Sequence, residues 1–328
     1  MLHAVTGADG FIGSHLVEGL VAEGHRVRAL ALYTSLGTWG WLDTLPREVL
    51  DNVEVVAGDV RDPEQMAAFC EGVDTIFHLA ALIAIPYSYV APRSYLETNA
   101  AGTLNVLEGV RRHAVRRMVH TSTSEVYGTA QRVPIDEDHP LQGQSPYSAS
   151  KIAADQMVEA FVRSFEVPAV TLRPFNTYGP RQSARAVIPT VVSQIAAGRR
   201  EIKLGALEPT RDFNFVADTV AAFMSIGAGE DKLIGQTFNA GSGREISVGD
   251  MVRTVVHVMG ADVVVKADES RLRPAGSEVM RLLADRSRLE AATGWIPATT
   301  LEQGLSTTAE WFSDPANLAR YRVDTYTV

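Results

Sequence analysis

Leu2-His-Ala-Val-Thr6-Gly7-Ala-Asp-Gly10-Phe-Ile-Gly13 decides the fold. A short apolar run of strand character enters a loop of glycines, and an amphipathic segment over 14–23 follows at once. Glycines let the backbone turn tightly and approach a pyrophosphate, whose charge a helix N-terminus favours. Glycine spacing alone, here GxxGxxG, is weak; a strand before it and a helix after it make the turn a dinucleotide site rather than a plain connection. The expected contacts are Gly7, Gly10, Phe11, Ile12 and Gly13.

Outward from this turn the chain alternates β-rich runs with helical patterns. Strands are expected at 2–6, 26–32, 53–57, 75–79, 117–121 and 169–172, and helices at 14–23, 63–70, 98–113 and 147–165. Such alternation predicts an α/β fold, a doubly wound parallel sheet of Rossmann type with right-handed crossovers and helices on both faces. A further strand at 236–239 returns to the sheet after a helix over 218–226. Past Gly179-Pro180 the pattern loosens into helices at 188–197 and 248–259 and short strands at 202–204 and 263–266. These pieces predict a second, smaller α/β lobe interleaved with the first. The expected division is 1–177 with 212–240 for the dinucleotide-binding domain, and 178–211 with 241–328 for the lobe.

Composition narrows the class. At 328 residues, 46% hydrophobic and 21% charged, the chain has the make-up of a globular enzyme of two lobes. A net charge of -9 argues against nonspecific nucleic-acid binding, which needs a basic surface. Cys70 is the only cysteine, so no intrachain disulfide forms and a cytoplasmic home fits. It lies in the apolar helical stretch Met66-Ala-Ala-Phe-Cys70 and reads as core. The first residues read as a strand rather than a signal peptide. The longest apolar region, 75–90, contains His78 and Pro86 and reads as a buried strand and loop rather than a membrane span. No metal site is expected.

The second half of a dinucleotide fingerprint is an acid after the second strand, which bonds the adenosine ribose. Here Val27-Arg-Ala-Leu-Ala-Leu-Tyr33 ends without one, and Thr34 and Ser35 supply no cation for a 2′-phosphate. Asp59 and Val60, after the third strand, are candidates for the adenine, although Gly58-Asp59 is also an ordinary turn. Trp39 and Trp41 share one early loop; padding between loop and sheet is the plainer reading, an aromatic wall beside a ligand the sharper one.

Two later segments carry chemistry. Tyr147-Ser-Ala-Ser-Lys151 puts a phenol and an ammonium one helical turn apart on a common face. A phenol beside a fixed cation ionises more easily, because the opposite charge favours the phenolate. Thr121-Ser-Thr-Ser-Glu-Val-Tyr127, at the end of an apolar strand, offers the hydroxyls of Thr123 and Ser124 and the carboxylate of Glu125. In a doubly wound sheet ligands bind outside the carboxyl ends of strands, where this segment falls. Glycine loop, hydroxyl-rich strand end and Tyr-x-x-x-Lys in that order predict a proton-and-hydride site, and the extra carboxylate a second proton transfer.

With these motifs in hand, the chain resembles the extended short-chain dehydrogenase/reductases, the NAD-dependent epimerase/dehydratase family acting on nucleotide sugars, over essentially its full length. The matching stretches are GADGFIG, Phe77-His-Leu-Ala-Ala81, Asn99-x-x-Gly-Thr103, TSTSEVYG, YSASK, Arg173-Pro-Phe-Asn176-x-Tyr-Gly-Pro180 and Arg211-Asp212-Phe213. The resemblance implies NAD as cofactor, bound also through Leu79, Ala80, Ala81, Asn99, Thr121, Tyr147, Lys151 and Pro174. It implies a nucleotide-sugar substrate held by Asn176, Arg185, Val187, Arg211 and Arg273, and a homodimer through helices 98–113 and 147–165.

Within the family, Thr-Ser-Glu is similar to the strand ends of sugar-nucleotide 4,6-dehydratases. Nucleotide-sugar decarboxylases carry the same triplet, whereas 4-epimerases generally lack the glutamate. Tyr33-Thr-Ser-x5-Trp41-Leu-Asp43, Ala81-Leu-Ile-Ala-Ile-Pro-Tyr87 and Arg181-Gln-Ser-Ala-Arg185-Ala-Val187-Ile-Pro189 resemble 4,6-dehydratases of the legionaminic acid pathway type. That implies UDP- or GDP-N-acetylglucosamine as substrate. The expected reaction has Tyr147 taking the 4-hydroxyl proton, Lys151 supporting it, and Thr123 or Ser122 bonding the carbonyl. Glu125 takes the C5 proton, and Glu125 or Ser124 protonates the departing 6-hydroxyl. A decarboxylase would instead need a cation such as Arg181 or Arg185 facing a C5 carboxylate.

Overall fold

Strand β1 (Leu2–Thr6) lies inside the main sheet, Leu2 opposite Arg26 of β2 (Arg26–Leu32) and His3 opposite Thr75 of β4 (Thr75–His78). The computed structural model describes residues 1–268, 271 and 274–323. Beyond β2 stands β3 (Val53–Gly58), and beyond β4 stand β5 (Arg117–Thr121), β6 (Ala169–Pro174) and, counting in chain order, β11 (Thr237–Ala240). The seven strands run in the order β11-β6-β5-β4-β1-β2-β3, all parallel. The chain reverses its direction of travel across the sheet between β1 and β4, and at such a switch point a crevice opens outside the carboxyl ends of the strands.

A parallel sheet is covered on both faces, so its strands bury side chains to either side. Helices α1 (Phe11–Ala22), α2 (Arg47–Leu50) and α3 (Pro63–Cys70) belong to the first half, with α4 (Ile85–Val90), α5 (Pro92–Tyr95), α6 (Gly102–Arg112) and α7 (Pro146–Phe165) after β4. Val5, Leu16, Val17, Leu20, Val220, Phe223 and Ile226 form one core, which joins α1 to α9 (Val216–Gly227). Ala4, Met66, Phe69, Val106, Leu107, Val158 and Phe161 form the other, beneath α3, α6 and α7. Cys70 lies fully in that second core, where burial pushes its thiol up to about 12, and so it is packing material, as expected.

Between β6 and the C-terminus lie β7 (Asn176–Tyr178), α8 (Val187–Ala196), β8 (Glu201–Leu204), β9 (Thr210–Arg211) and β10 (Phe213–Phe215). After β11 come β12 (Ile246–Ser247), α10 (Val248–Val258), β13 (Val264–Ala267), α11 (Ser287–Thr293), α12 (Leu301–Ser313) and α13 (Pro315–Leu318). A third core gathers Val191, Val192, Met251, Val255, Leu305 and Phe312 from α8, α10 and α12, with Ile202 and Leu204 of β8 beside them. β8 pairs with β13 in parallel, β9 with β12 antiparallel, and β7 with β10 in parallel.

The helix starts that depart furthest from the pattern reading belong to α1 and α6. α1 begins at Phe11 rather than 14, because Gly10 is already in extended geometry at its N-cap. The helix expected over 98–113 opens as a π-helical turn at Leu96–Ala101 before α6, and carries the buried Asn99 within that wider turn. Among the described residues no helix is long and apolar enough to cross a membrane, and no cluster of histidine, cysteine and acids suits a metal ion.

Candidate active site

A cavity of about 1100 Å³ is lined by Gly7, Gly10, Phe11, Ile12 and Gly13 at one end and by Thr123, Ser124, Glu125, Tyr147 and Lys151 at another part of its wall. Gly7 has φ +66°, and a Cβ there would meet the backbone N of Ala80 at 2.8 Å. At Gly13 a Cβ would overlap the carbonyl oxygen of Gly7. The loop is therefore glycine because its own backbone and the end of β4 leave no room. No side chain caps α1, so its first-turn N–H groups are left for a ligand.

The rest of the wall suits the same ligand. Asp59 and Val60 follow β3, and Leu79, Ala80 and Ala81 follow β4; the N–H groups of Leu79 and Ala80 donate to Thr6 Oγ1 at 3.1 Å. Thr121 and Asn176 line the cavity, and their Oγ1 and Oδ1 atoms are buried without a hydrogen-bond partner among the described residues. An uncapped helix start and orphaned buried oxygens along one cavity fit an extended dinucleotide. Pro174 completes the wall beside them. Asn99 stands behind it: its Oδ1 accepts from Leu82 N at 2.8 Å, and its Nδ2 donates to Leu82 O and Ser150 Oγ, both at 2.9 Å.

α7 begins on Ser145, whose side chain and that of Ser148 form a reciprocal capping box, with Pro146 in the first turn. That start aims Tyr147 and Lys151 at the cavity. Lys151 Nζ donates to Thr121 O at 2.6 Å, and burial lowers its pKa to about 8, against the pull of Asp155. Tyr147 departs from the sequence reading. Burial raises its pKa, a hydrogen bond with Thr123 draws it back in part, and the charges of Glu125, Tyr95 and Asp155 raise it further. Helical spacing brings phenol and ammonium to one face, but the ammonium is directed at the Thr121 carbonyl. In the protein alone Lys151 holds the strand end rather than acidifying the phenol.

Thr123 accepts from Glu125 N at 3.2 Å and bonds the phenol, so it is the hydroxyl available to a substrate carbonyl. Ser122 is spoken for, donating to Asp155 Oδ2 at 2.7 Å. The Glu125 carboxylate, by contrast, has no hydrogen-bond or ion-pair partner among the described residues, and it lies on the cavity wall with Ser124.

Beneath the floor lies a group the sequence reading missed. Asp155 accepts from Ser122 and from Arg173 Nη2 at 3.0 Å, and meets His120 Nε2 at 3.1 Å. Burial alone would raise its pKa, but His120, Arg173 and Lys151 outweigh that and hold it low. Arg173 also donates to Tyr127 Oη at 3.0 Å, which donates to Asn239 Oδ1 at 2.7 Å. One signal was present: an acid one helical turn beyond Lys151 on the same face.

The expected substrate ligands are dispersed. Asn176 and Arg185 line the cavity; Val187 opens α8 and Arg211 bonds Thr210 O and Glu278 Oε1, at 2.9 and 3.0 Å, and neither is on the cavity wall. Arg273 lies outside the described residues. Arg181 reaches the wall with φ +69°, but its Nη1 is engaged by Glu18 at 2.5 Å. Trp41 lines the cavity and also packs on its neighbours, its ring 5.6 Å from Trp311 and 6.0 Å from Tyr321, whereas Trp39 does not line it. Arg320, Tyr321 and Arg322 join the wall there, and no sequence pattern pointed to them.

The family model for GDP-mannose 4,6 dehydratase matches residues 4–308. A UDP-glucose 4-epimerase of Mycolicibacterium smegmatis is 34% identical over 94% of this chain and 97% of its own length. A dTDP-glucose 4,6-dehydratase of the same organism is 33% identical over 94% and 92%. Among solved structures, the dTDP-glucose 4,6-dehydratase DesIV of Streptomyces venezuelae, with NAD bound, superposes with a TM-score of 0.83 at 29% identity, covering 96% of this chain and 98% of its own. The chain belongs to the GDP-mannose 4,6-dehydratase family of NAD-dependent epimerases and dehydratases, and is an NAD-dependent enzyme.

Proposed function

We propose that this enzyme is a nucleotide-sugar 4,6-dehydratase, converting an NDP-hexose to its 4-keto-6-deoxy form. The observation that carries the reading is Glu125: a carboxylate on the cavity wall, unpartnered among the described residues and near enough to raise the pKa of Tyr147. Oxidation at C4, or its reversal from the other face, needs only a base for the hydroxyl. Removing the C5 proton needs a second one, and a positioned base of this kind is worth about 10²–10⁴-fold.

NAD, when bound, supplies the hydride acceptor for C4, the hydride donor for C6 and a cationic ring in the same cavity. Gly7, Gly10, Phe11, Ile12 and Gly13 hold its pyrophosphate, and Thr121, Asn99 and Lys151 order the strand and loop ends around it. The positive charge that bound NAD would bring favours the Tyr147 phenolate against the burial that raises its pKa; Tyr147 then takes the proton of the 4-hydroxyl while Thr123 hydrogen-bonds the oxygen that becomes the ketone. The ketone acidifies C5–H, which Glu125 removes; Glu125 or Ser124 then protonates the departing hydroxyl at C6, and after hydride has reached C6 a solvent-derived proton returns to C5. Asn176 and Arg185 meet the diphosphate from the wall.

The finer substrate reading is UDP- or GDP-N-acetylglucosamine. It rests on the likeness of three stretches to the legionaminic-type dehydratases, and those stretches supply Trp41, the run 81–87 and Arg181–Ala186 to the cavity. Residues 178–211 and 241–328 serve in this reading as the nucleotide-sugar lobe. The enzyme works as a cytoplasmic homodimer. The epimerase relative favours a second reading, 4-epimerisation, in which Glu125 has no step to perform.

Mass analysis of candidate NDP-hexoses after incubation with the enzyme separates the two. Loss of one water supports the dehydratase; conversion at unchanged mass overturns it, and loss of carbon dioxide from a uronic acid replaces it with a decarboxylase.

A further inference from the structure

We infer that Asp9, in the glycine loop, is the residue that selects NAD over NADP. The inference concerns the cofactor alone and stands whichever sugar reaction the site performs.

Strand β2 ends in Leu30-Ala-Leu32-Tyr33-Thr34-Ser35, with neither an acid for a ribose nor a base for a 2′-phosphate. The structure supplies an acid there from elsewhere. Asp9 Oδ2 accepts from the backbone N–H of Leu32 at 3.2 Å, which seats the carboxylate on the carboxyl end of β2. In a dinucleotide fold that is the spot from which an acid bonds the adenosine ribose.

The backbone at Asp9 is fixed. Ala8 N donates to Leu30 O at 3.2 Å, and Asp9 O accepts from Trp41 N at 3.0 Å. Gly40, at φ +59°, packs so tightly that a Cβ would meet Asp9 O at 2.6 Å. The carboxylate therefore cannot swing away with a mobile loop. It lines the cavity with Gly10, Leu32, Trp41 and Asp59, and its partial burial makes the carboxyl harder to ionise, an effect the Leu32 N–H opposes. Ribose hydroxyls, which donate, relieve that cost.

A 2′-phosphate meets the opposite situation. It would bring about two negative charges to a carboxylate already in place. Of the cations on this wall, Arg61 is held by Asp59 through Nε at 3.0 and 2.9 Å and Nη2 at 2.5 Å, and Arg320 lies over the Trp41 ring, 5.8 Å from its centroid. Selectivity thus comes from repulsion as well as attraction.

The test is binding, not turnover. Bound nucleotide is stripped from wild type and from Asp9→Asn, which keeps the size and an acceptor for Leu32 N–H but not the charge. NAD⁺ and NADP⁺ are then titrated while the fluorescence of the tryptophans is followed. Wild type prefers NAD⁺, and Asp9→Asn narrows the ratio of dissociation constants by on the order of 10–100-fold, the effect of one unit charge a few ångströms away at a protein surface. Asp9→Ser, also uncharged, gives a second measurement of the same ratio, and Asp9→Glu retains the preference. An unchanged ratio in the uncharged variants, or a wild type indifferent between the two nucleotides, overturns the assignment.

Discussion

In the proposed mechanism Tyr147 and Glu125 divide the proton transfers, and each can be removed almost without changing volume. Tyr147→Phe deletes the acceptor for the 4-hydroxyl proton and lowers turnover by at least about 10²–10⁴-fold while nucleotide-sugar binding, measured by calorimetry, stays near wild type. Glu125→Gln is more selective: in a single turnover the bound nicotinamide is still reduced, seen by absorbance, but water loss slows by about 10²–10⁴-fold. Unchanged elimination would remove Glu125 as the C5 base. Residues that announce themselves by order and spacing, such as Gly7, Gly13, Tyr147 and Lys151, were legible because their chemistry repeats a short local pattern. Asp9 and Asp155 were not, since each acts through a partner distant in sequence: Leu32 N–H for one, His120 and Arg173 for the other. The direction of the Lys151 ammonium was equally hidden, because helical spacing fixes a face but not the end of a long side chain.

At the scale of elements, α3 and α6 pack so closely that Gly109 is obligatory. A Cβ there would meet Cys70 Sγ at 2.8 Å and the backbone oxygen of Met66 at 2.9 Å. Gly109→Ala is expected to destabilise the protein by about 1–3 kcal/mol, read as a lower denaturant midpoint, even though alanine favours helix. An unchanged midpoint would mean that the two helices separate easily. The strands and most helices were readable from periodicity because the parallel sheet buries both its faces. The π-helical turn at Leu96–Ala101 was not, because a single six-residue turn carries too few apolar positions to show a period of its own. Pieces such as β9 and β12 are two residues long and carry no periodicity to read.

For the whole molecule, buried histidines set a pH dependence. Burial first, then the neighbouring His25 and Arg181 respectively, lower His3 and His15 from 6.5 to about 4. Burial also lowers His78 and His120. Each folded-state pKa lies below the unfolded value, so as pH falls through 6.5 the unfolded chain takes up protons that the folded one refuses. Stability is therefore lost on acidification, and Tm drops between about pH 7 and about pH 5; His3→Leu flattens that dependence, and an unaltered slope would contradict it. The proposed homodimer is checked by sedimentation, where a monomer at micromolar concentration removes it. The central claim, that Glu125 and Tyr147 together make this a dehydratase, is tested most directly by turnover of an NDP-hexose in deuterated water. The product is predicted to have lost one water and gained one deuterium at C5, with the original C4 hydrogen at C6. Mass-neutral conversion, or a product without deuterium at C5, would contradict it.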